Sequence, residues 1–386
     1  MFLANLFLTP QKIITGINSL DKSGSYIREL GKKALIVTDA VMVGTGNVKK
    51  LTDVLDKHEV NYELFSEINN EPTDEMVYQG VILYTQANCD FLIALGGGSP
   101  IDAMKAIGAM TTNQGQLNEY MGKEIKNPLP GMVAIPTTAG TGSEATQFTI
   151  ISDTKQNVKM LLKGAVLLPA LAVVDPELTV SAPPKVTAAT GIDALTHAIE
   201  AYTSKKAQPL SDTFALSACK RIFANLQKAY SDGSDLEARQ QMSIASLEAG
   251  IAFNNSSVTI IHGMSRPIGA LFHVPHGVSN AMLMGECLQF AAPGAPERFA
   301  VIAKEVGLCQ EGTSEMAAAE TLVAQVVKLC ADIHIPTLAE FGVDRAAFFE
   351  NIDKMANDAL VSGSPANTQR DVSKEDIIEI YKKLWK

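Results

Sequence analysis

Residues 261–277 read IHGMSRPIGALFHVPHG and hold three of the chain's six histidines. His262, His273 and His276 sit there among apolar residues, where an imidazole needs a hydrogen bond, a charge or a metal as its partner. Pro267 and Pro275 argue against one uninterrupted helix, since an interior proline loses a backbone donor and clashes with the preceding turn. His262 and His276 are therefore expected to converge through a turn and not by helical phase. Residues 191–202, GIDALTHAIEAY, add Asp193 and His197 four apart, a spacing that stacks both side chains on one helix face. One carboxylate with two or three imidazoles is an oxygen and nitrogen set suited to Fe²⁺, Zn²⁺ or Mn²⁺, and the missing thiolate argues against a structural zinc cluster. Any one of these histidines alone would pass for a hydrogen-bonded core or surface residue. Asp-x3-His followed by His-x13-His is the stronger signal.

The elements that must position a ligand lie earlier. From Lys33 to about Asp175, short apolar runs alternate with helical patterns: ALIVTD (34–39), FLIALGGG (91–98), GMVAIPTT (131–138) and LAVVDP (171–176), with helices expected at 47–58 and 73–86. Continuously apolar runs read as strands buried on both faces, and the alternation predicts an α/β domain with a parallel sheet. Ligands bind such sheets beyond the carboxyl ends of the strands. Three features stand there. Asp39 could accept hydrogen bonds from an adenosine ribose and would repel a 2′-phosphate. Gly96-Gly97-Gly98-Ser99-Pro100 leads into a helix; its glycines admit close backbone approach, Ser99 can cap the helix, Pro100 suits the first turn, and the helix N-terminus favours a phosphate. Thr137-Thr138-Ala139-Gly140-Thr141-Gly142-Ser143-Glu144 presents hydroxyls and glycines directly after a strand. Each alone fits an ordinary turn; three at one sheet edge point to a dinucleotide.

After Pro176 the strand-like runs give way to amphipathic helical patterns, at 209–225, 235–254, 314–333 and 374–385, so residues 1–182 are expected to form the nucleotide-binding domain and 183–386 an all-α domain carrying the metal set. The boundary falls near SAPPK (181–185). Residues 361–369 have turn composition and are expected to be a plain surface connection.

At 386 residues two domains are the default. A formal net charge of −10 argues against nucleic acid or an anionic membrane as the main partner. The five cysteines form no CxxC pair and fit free thiols in a reducing compartment. The apolar N-terminus is too short to span a bilayer and lacks the features of a signal peptide, so a cytoplasmic location is expected.

Over nearly its whole length the chain resembles the iron-containing, metal-dependent (group III) alcohol dehydrogenases, a family that includes lactaldehyde reductase and propanediol dehydrogenases. GGGSPIDAMKA is similar to the family's pyrophosphate loop, TTAGTGSEAT to its nucleotide-binding threonine loop, and GIDALTHAIEAY and HGMSRPIGALFHVPHG to its two metal motifs. The resemblance implies a dehydroquinate-synthase-like fold with the active site in the cleft between two domains, and dimers or larger homo-oligomers. It carries metal ligation onto Asp193, His197, His262 and His276. It carries NAD contacts onto Asp39, Gly97, Gly98, Ser99, Asp102, Thr138, Thr141, Ser143, Thr146, Lys159 and Leu178. One position departs from the pattern: the family commonly has a histidine four residues after the first ligand of the second metal motif, and here that residue is Arg266. His273 then becomes a candidate proton relay. Arg266 could pair with a carboxylate or bind an anionic group of the substrate in a fork geometry.

The activity so implied is reversible hydride transfer between NAD(H) and a short alcohol, diol or aldehyde, with the metal, Fe²⁺ by resemblance, as Lewis acid. Phe253 is a candidate apolar wall of the pocket. The alternatives are a reductase of a carboxylated or sulfonated aldehyde recognised through Arg266, a zinc glycerol-type dehydrogenase, a dehydroquinate-synthase-like lyase, and a non-catalytic NAD- or metal-binding protein. No local motif reads the substrate.

Overall fold

The apolar runs are strands because both of their faces find cover. In β2 (Lys33–Val37), Leu35 and Val37 join one buried cluster with Phe65, Leu92, Ala94 and Met132, while Ala34 and Ile36 join another with Phe91, Ile93 and Val133. Successive side chains of a strand point to opposite faces, so a sheet covered on both sides needs apolar residues at consecutive positions. In the computed structural model, which describes residues 4–156 and 158–385, six strands form one parallel sheet in the order β1-β8-β5-β4-β2-β3. The others are β1 (Lys12–Thr15), β3 (Asn61–Phe65), β4 (Phe91–Gly96), β5 (Gly131–Pro136) and β8 (Leu171–Val174). Helices Asn47–Lys57 and Asp74–Gln86 fall where the periodicity placed them. The order reverses at β2, which pairs with β3 on one side and β4 on the other. That is a topological switch point, where the carboxyl ends of open sheets take ligands. An antiparallel hairpin, β6 (Phe148–Asp153) with β7 (Val158–Lys163), follows the threonine loop.

The chain divides into two compact units, one of residues 8–182 and one of residues 183–385 with the short segment 4–7. That segment, grouped by sequence with the sheet, packs on the helical unit: Gln208 Nε2 donates to the Leu6 carbonyl at 3.2 Å and the Phe7 ring stacks on Phe214. Among the described residues the named elements of this unit are all helices, the principal ones being Pro184–Thr203, Pro209–Ser231, Leu236–Asn254, Ile260–Phe272, His276–Ala291, Glu315–Asp332, Arg345–Val361 and Lys374–Lys383.

The stretch 261–277 is interrupted, as its prolines led one to expect: the break comes at His273, in the left-handed region (φ 54°), and at Pro275, which precedes the next helix. Pro267 itself lies inside Ile260–Phe272, where burial of Ile260, Ile261, Met264 and Ile268 outweighs one lost backbone bond. One expectation is corrected: residues 361–369 are not a plain surface connection. Ser364, Asn367 and Thr368 are buried, Asn367 Nδ2 donates to Ser257 Oγ (2.8 Å), and a Cβ on Gly263 would lie 2.6 Å from Pro365 Cδ. The turn residues are pinned against the helix that carries His262.

Candidate metal centre and nucleotide loops

Three helices bring the four metal candidates together. Asp193 and His197 stand one turn apart on Pro184–Thr203, His262 is in the first turn of Ile260–Phe272, and His276 opens His276–Ala291. One donor atom from each lies within 4.8 Å of the others. His262 Nε2 is 2.9 Å from His197 Nε2 and 3.7 Å from Asp193 Oδ1, which is also 3.7 Å from His276 Nε2. Asp193, His197 and His262 are buried, and His276 is half-buried at the open side.

The surrounding groups set which atoms carry protons. Glu200 Oε2 is 2.6 Å from His262 Nδ1, while Oε1 accepts from Thr259 Oγ1 (2.7 Å) and the Ile261 N–H (2.6 Å). A carboxylate against Nδ1 holds the proton there and leaves the Nε2 lone pair facing the cluster. Burial pushes the Glu200 carboxyl up against the pull of those bonds, and burial, then His197 and Arg266, hold His262 well below the usual imidazole range. Asn280 Nδ2 donates to Asp193 Oδ1 at 2.7 Å. His197 Nδ1 is buried with no hydrogen-bond partner. Imidazole nitrogens converging on one carboxylate, with a buried orphan among them, fit a divalent cation, which accounts for three buried polar groups and a half-buried fourth meeting at one point. Phe253 stacks on His197, centroids 4.3 Å apart.

Arg266 follows His262 by one turn on the same helix. His273 is exposed at the helix end and is not brought to the cluster. Glu200 and Asn280 were not singled out in the sequence, although the signal was there: Asp193, His197 and Glu200 fall at i, i+4 and i+7, and His276 and Asn280 at i and i+4, each set on one helix face.

In the sheet unit the three loops meet at neighbouring strand ends. Asp39 caps helix Ala40–Gly44 through Oδ1, which accepts from the Met42 N–H at 2.9 Å, and its Oδ2 lies 3.3 Å from where a Gly96 Cβ would be. Gly96 has φ 152°, a region open to glycine. Helix Gly98–Thr112 is entered through Gly97, so Ser99 stands inside the first turn and not at the cap, a correction that follows from the extended backbone of Gly97. A Cβ on Gly98 would lie 2.9 Å from Thr141 Cγ2, and one on Gly97 3.5 Å from Thr138 Oγ1. The glycines thus let the two loops close on each other with the backbone N–H groups of the helix start beside them, a cradle that fits a pyrophosphate.

Other nucleotide candidates have structural partners. Asp102 Oδ2 accepts from the Ile150 N–H (2.9 Å), Ser143 and Thr146 are buried, Leu178 is in the core, and Lys159 pairs with Glu71 at 2.7 Å. Beneath the loop lies Lys105, three residues after Asp102 and fully buried. Its Nζ donates to the carbonyls of Ser143 (2.7 Å), Thr146 (2.8 Å) and Phe148 (2.9 Å) and approaches Thr146 Oγ1 at 3.0 Å. Burial pulls its pKa down to about 8 against the opposing fields of Asp102 and Glu144, and pushes Asp102 up to about 6.

Glu144, also buried, has an Oε2 with no partner, and burial pushes its pKa from 4.5 up to about 7. Between those values the folded chain keeps a proton that the unfolded chain releases, so this group's contribution to stability is present below pH 4.5 and lost as pH rises through 7. Glu144→Gln cannot titrate. Relative to the wild type it should gain roughly 3 kcal/mol between pH 4 and 8, from about 1.4 kcal/mol per unit of pKa shift. Urea unfolding of both proteins at the two pH values checks this; a difference that stays flat would refute the burial account.

Comparison with known proteins matches residues 10–176 to the family model "Iron-containing alcohol dehydrogenase" and residues 187–385 to "Fe-containing alcohol dehydrogenase family, C-terminal". The chain is 39% identical to the 1,3-propanediol dehydrogenase of Citrobacter freundii, over 98% of each, and 38% identical to the NAD-dependent methanol dehydrogenase of Bacillus methanolicus, over 98% of this chain and 99% of that one. Among solved structures, a 1,3-propanediol oxidoreductase superposes with a TM-score of 0.96 at 37% identity, covering 99% of this chain and all of the other.

Proposed function

Because the chain belongs to the iron-containing alcohol dehydrogenase family, we propose that it interconverts short-chain alcohols or diols and the corresponding aldehydes, with NAD(H) as cofactor and a metal, Fe²⁺ by family, held by Asp193, His197, His262 and His276. The observation that carries this reading is the convergence of those four donors within 4.8 Å. When bound, the metal supplies Lewis acidity toward the substrate oxygen and the nicotinamide supplies or takes the hydride.

The chain's own residues do the rest. Glu200 holds the His262 proton at Nδ1 and orients the ring, Asn280 holds one oxygen of Asp193, and the Phe253 ring against His197 keeps water from that side. In the sheet unit, Gly97, Gly98 and the N–H groups of the following helix receive the pyrophosphate, flanked by the hydroxyls of Thr138 and Thr141. Asp39 has an oxygen left over from capping to accept from a ribose hydroxyl, which favours NAD over NADP. No helix among the described residues is long and apolar enough to cross a membrane. Five thiols without a disulfide fit a reducing, cytoplasmic setting, and homo-oligomers are the family expectation.

The test is NADH oxidation by the purified chain, loaded anaerobically with Fe²⁺ or Zn²⁺, against short aldehydes. NADH should disappear with the loaded protein, and chelation should cut the rate by about a hundredfold or more. Undiminished turnover in demonstrably metal-free protein would end this mechanism.

A further inference from the structure

Arg266 stands one helical turn after His262, and residues four apart on a helix share a face. It is half-buried, yet among the described residues its guanidinium has no hydrogen bond and no ion pair. The chain's other buried or half-buried arginines do not behave this way. Arg221 reaches Glu248, Arg298 reaches Asp212 and the Tyr202 carbonyl, and Arg239 reaches the Gly233 carbonyl and Thr187.

Among the described residues, no carboxylate pairs with Arg266. The charge of Arg266 is felt by Glu200 and by the His262 ring, so the three groups are close. Both Glu200 oxygens are already engaged, by Thr259 and Ile261 on one side and by His262 on the other. Asp193 Oδ1 is held by Asn280 and belongs to the metal set. A partly desolvated guanidinium whose five N–H donors meet no protein acceptor is costly. An anion brought by a ligand removes that cost, and the planar fork matches a carboxylate or sulfonate in particular.

We propose that Arg266 is a specificity-determining residue that binds the anionic end of the substrate, so that the preferred substrate is a short aldehyde or alcohol bearing a carboxylate or sulfonate. This rests on the dehydrogenase reading above. One helical turn separates neighbouring side-chain origins by about 6 Å. The anion is therefore carried on a spacer of a few atoms from the reacting carbon.

The experiment uses the full chain loaded with metal and compares kcat/KM for matched pairs, succinic semialdehyde against butanal and sulfoacetaldehyde against propanal. The wild type should prefer at least one anionic member by about tenfold or more, and which pair shows it separates carboxylate from sulfonate. In Arg266→Ala the anionic-to-neutral ratio should fall by about 10- to 100-fold, the range for hydrogen bonds to charged groups, chiefly through KM. Arg266→Lys should recover part of it. A wild type that prefers the neutral partner in both pairs overturns the proposal without recourse to any variant, as does a ratio that Arg266→Ala leaves unmoved. If none of the four aldehydes turns over, the dehydrogenase reading fails instead. Calorimetric binding of 4-hydroxybutyrate then decides Arg266 by itself: binding to the wild type that Arg266→Gln abolishes sustains the anion site, and no binding to the wild type removes it.

Discussion

His262→Ala should lower aldehyde turnover by roughly a thousandfold, the scale on which enzymes lose the stabilisation of a developing oxyanion, while NADH binding stays close to wild type. His262 is the hub of the cluster: its Nε2 faces His197 Nε2 at 2.9 Å and Asp193 Oδ1 at 3.7 Å, and its Nδ1 engages Glu200. Truncation removes one of four donors and leaves the buried Glu200 carboxylate without its imidazole partner, so the remaining three hold a cation less tightly. The nucleotide candidates all belong to the other compact unit, residues 8–182, which is why NADH binding is spared. Three readings check this: metal per protomer after dialysis, NADH affinity by fluorescence, and turnover. Wild-type metal occupancy with wild-type turnover in the variant would show that the cluster does something else.

The parts of this architecture that were legible from the sequence are those whose pattern is local. FLIALGGG and GMVAIPTT announce buried strands because both faces must be apolar, and the loops that follow are marked by glycine and threonine. Asp193 and His197 reveal themselves by helical spacing. What stayed hidden depends on partners remote in sequence. The prolines announced an interruption between His262 and His276, but that it falls at 273–275 and leaves Pro267 inside a helix rests on tertiary burial. Residues 361–369 have loop composition but lie against Gly263, a contact that no local signal encodes. Lys105 looks like a solvent-facing lysine of an ordinary helix until the loop from Ser143 to Phe148 is folded over it. His273, a candidate proton relay, is exposed at a left-handed turn just ahead of the helix that His276 opens, a placement set by where the first helix ends. Chemistry that depends on residue type and spacing was readable; chemistry that depends on which backbone carbonyls converge was not.

Lys105 gives the second large effect. Its ammonium has three hydrogens and meets four acceptors, three of them backbone carbonyls of the segment that runs from the threonine loop into β6. A buried cation is tolerable when it is saturated with hydrogen bonds and set beside opposite charge, and the fields of Asp102 and Glu144 supply the latter. Lys105→Met keeps much of the volume and removes everything else: the carbonyls of Ser143, Thr146 and Phe148 lose a donor, and two buried carboxyls lose their cation. The expected cost is about 3–5 kcal/mol, the range for breaking a buried charge arrangement from one side, and it should appear as a lowered urea midpoint. NADH should also bind more weakly, because Thr141 and Thr138 reach Gly98 and Gly97 only while this loop is held. Lys105→Arg should not restore either property, since the guanidinium is larger and its planar fork does not match carbonyls arranged around a point. An unchanged midpoint together with unchanged NADH affinity in Lys105→Met would mean that the loop is held by its own turns and by the Asp102 contact to Ile150, with the buried lysine a passenger.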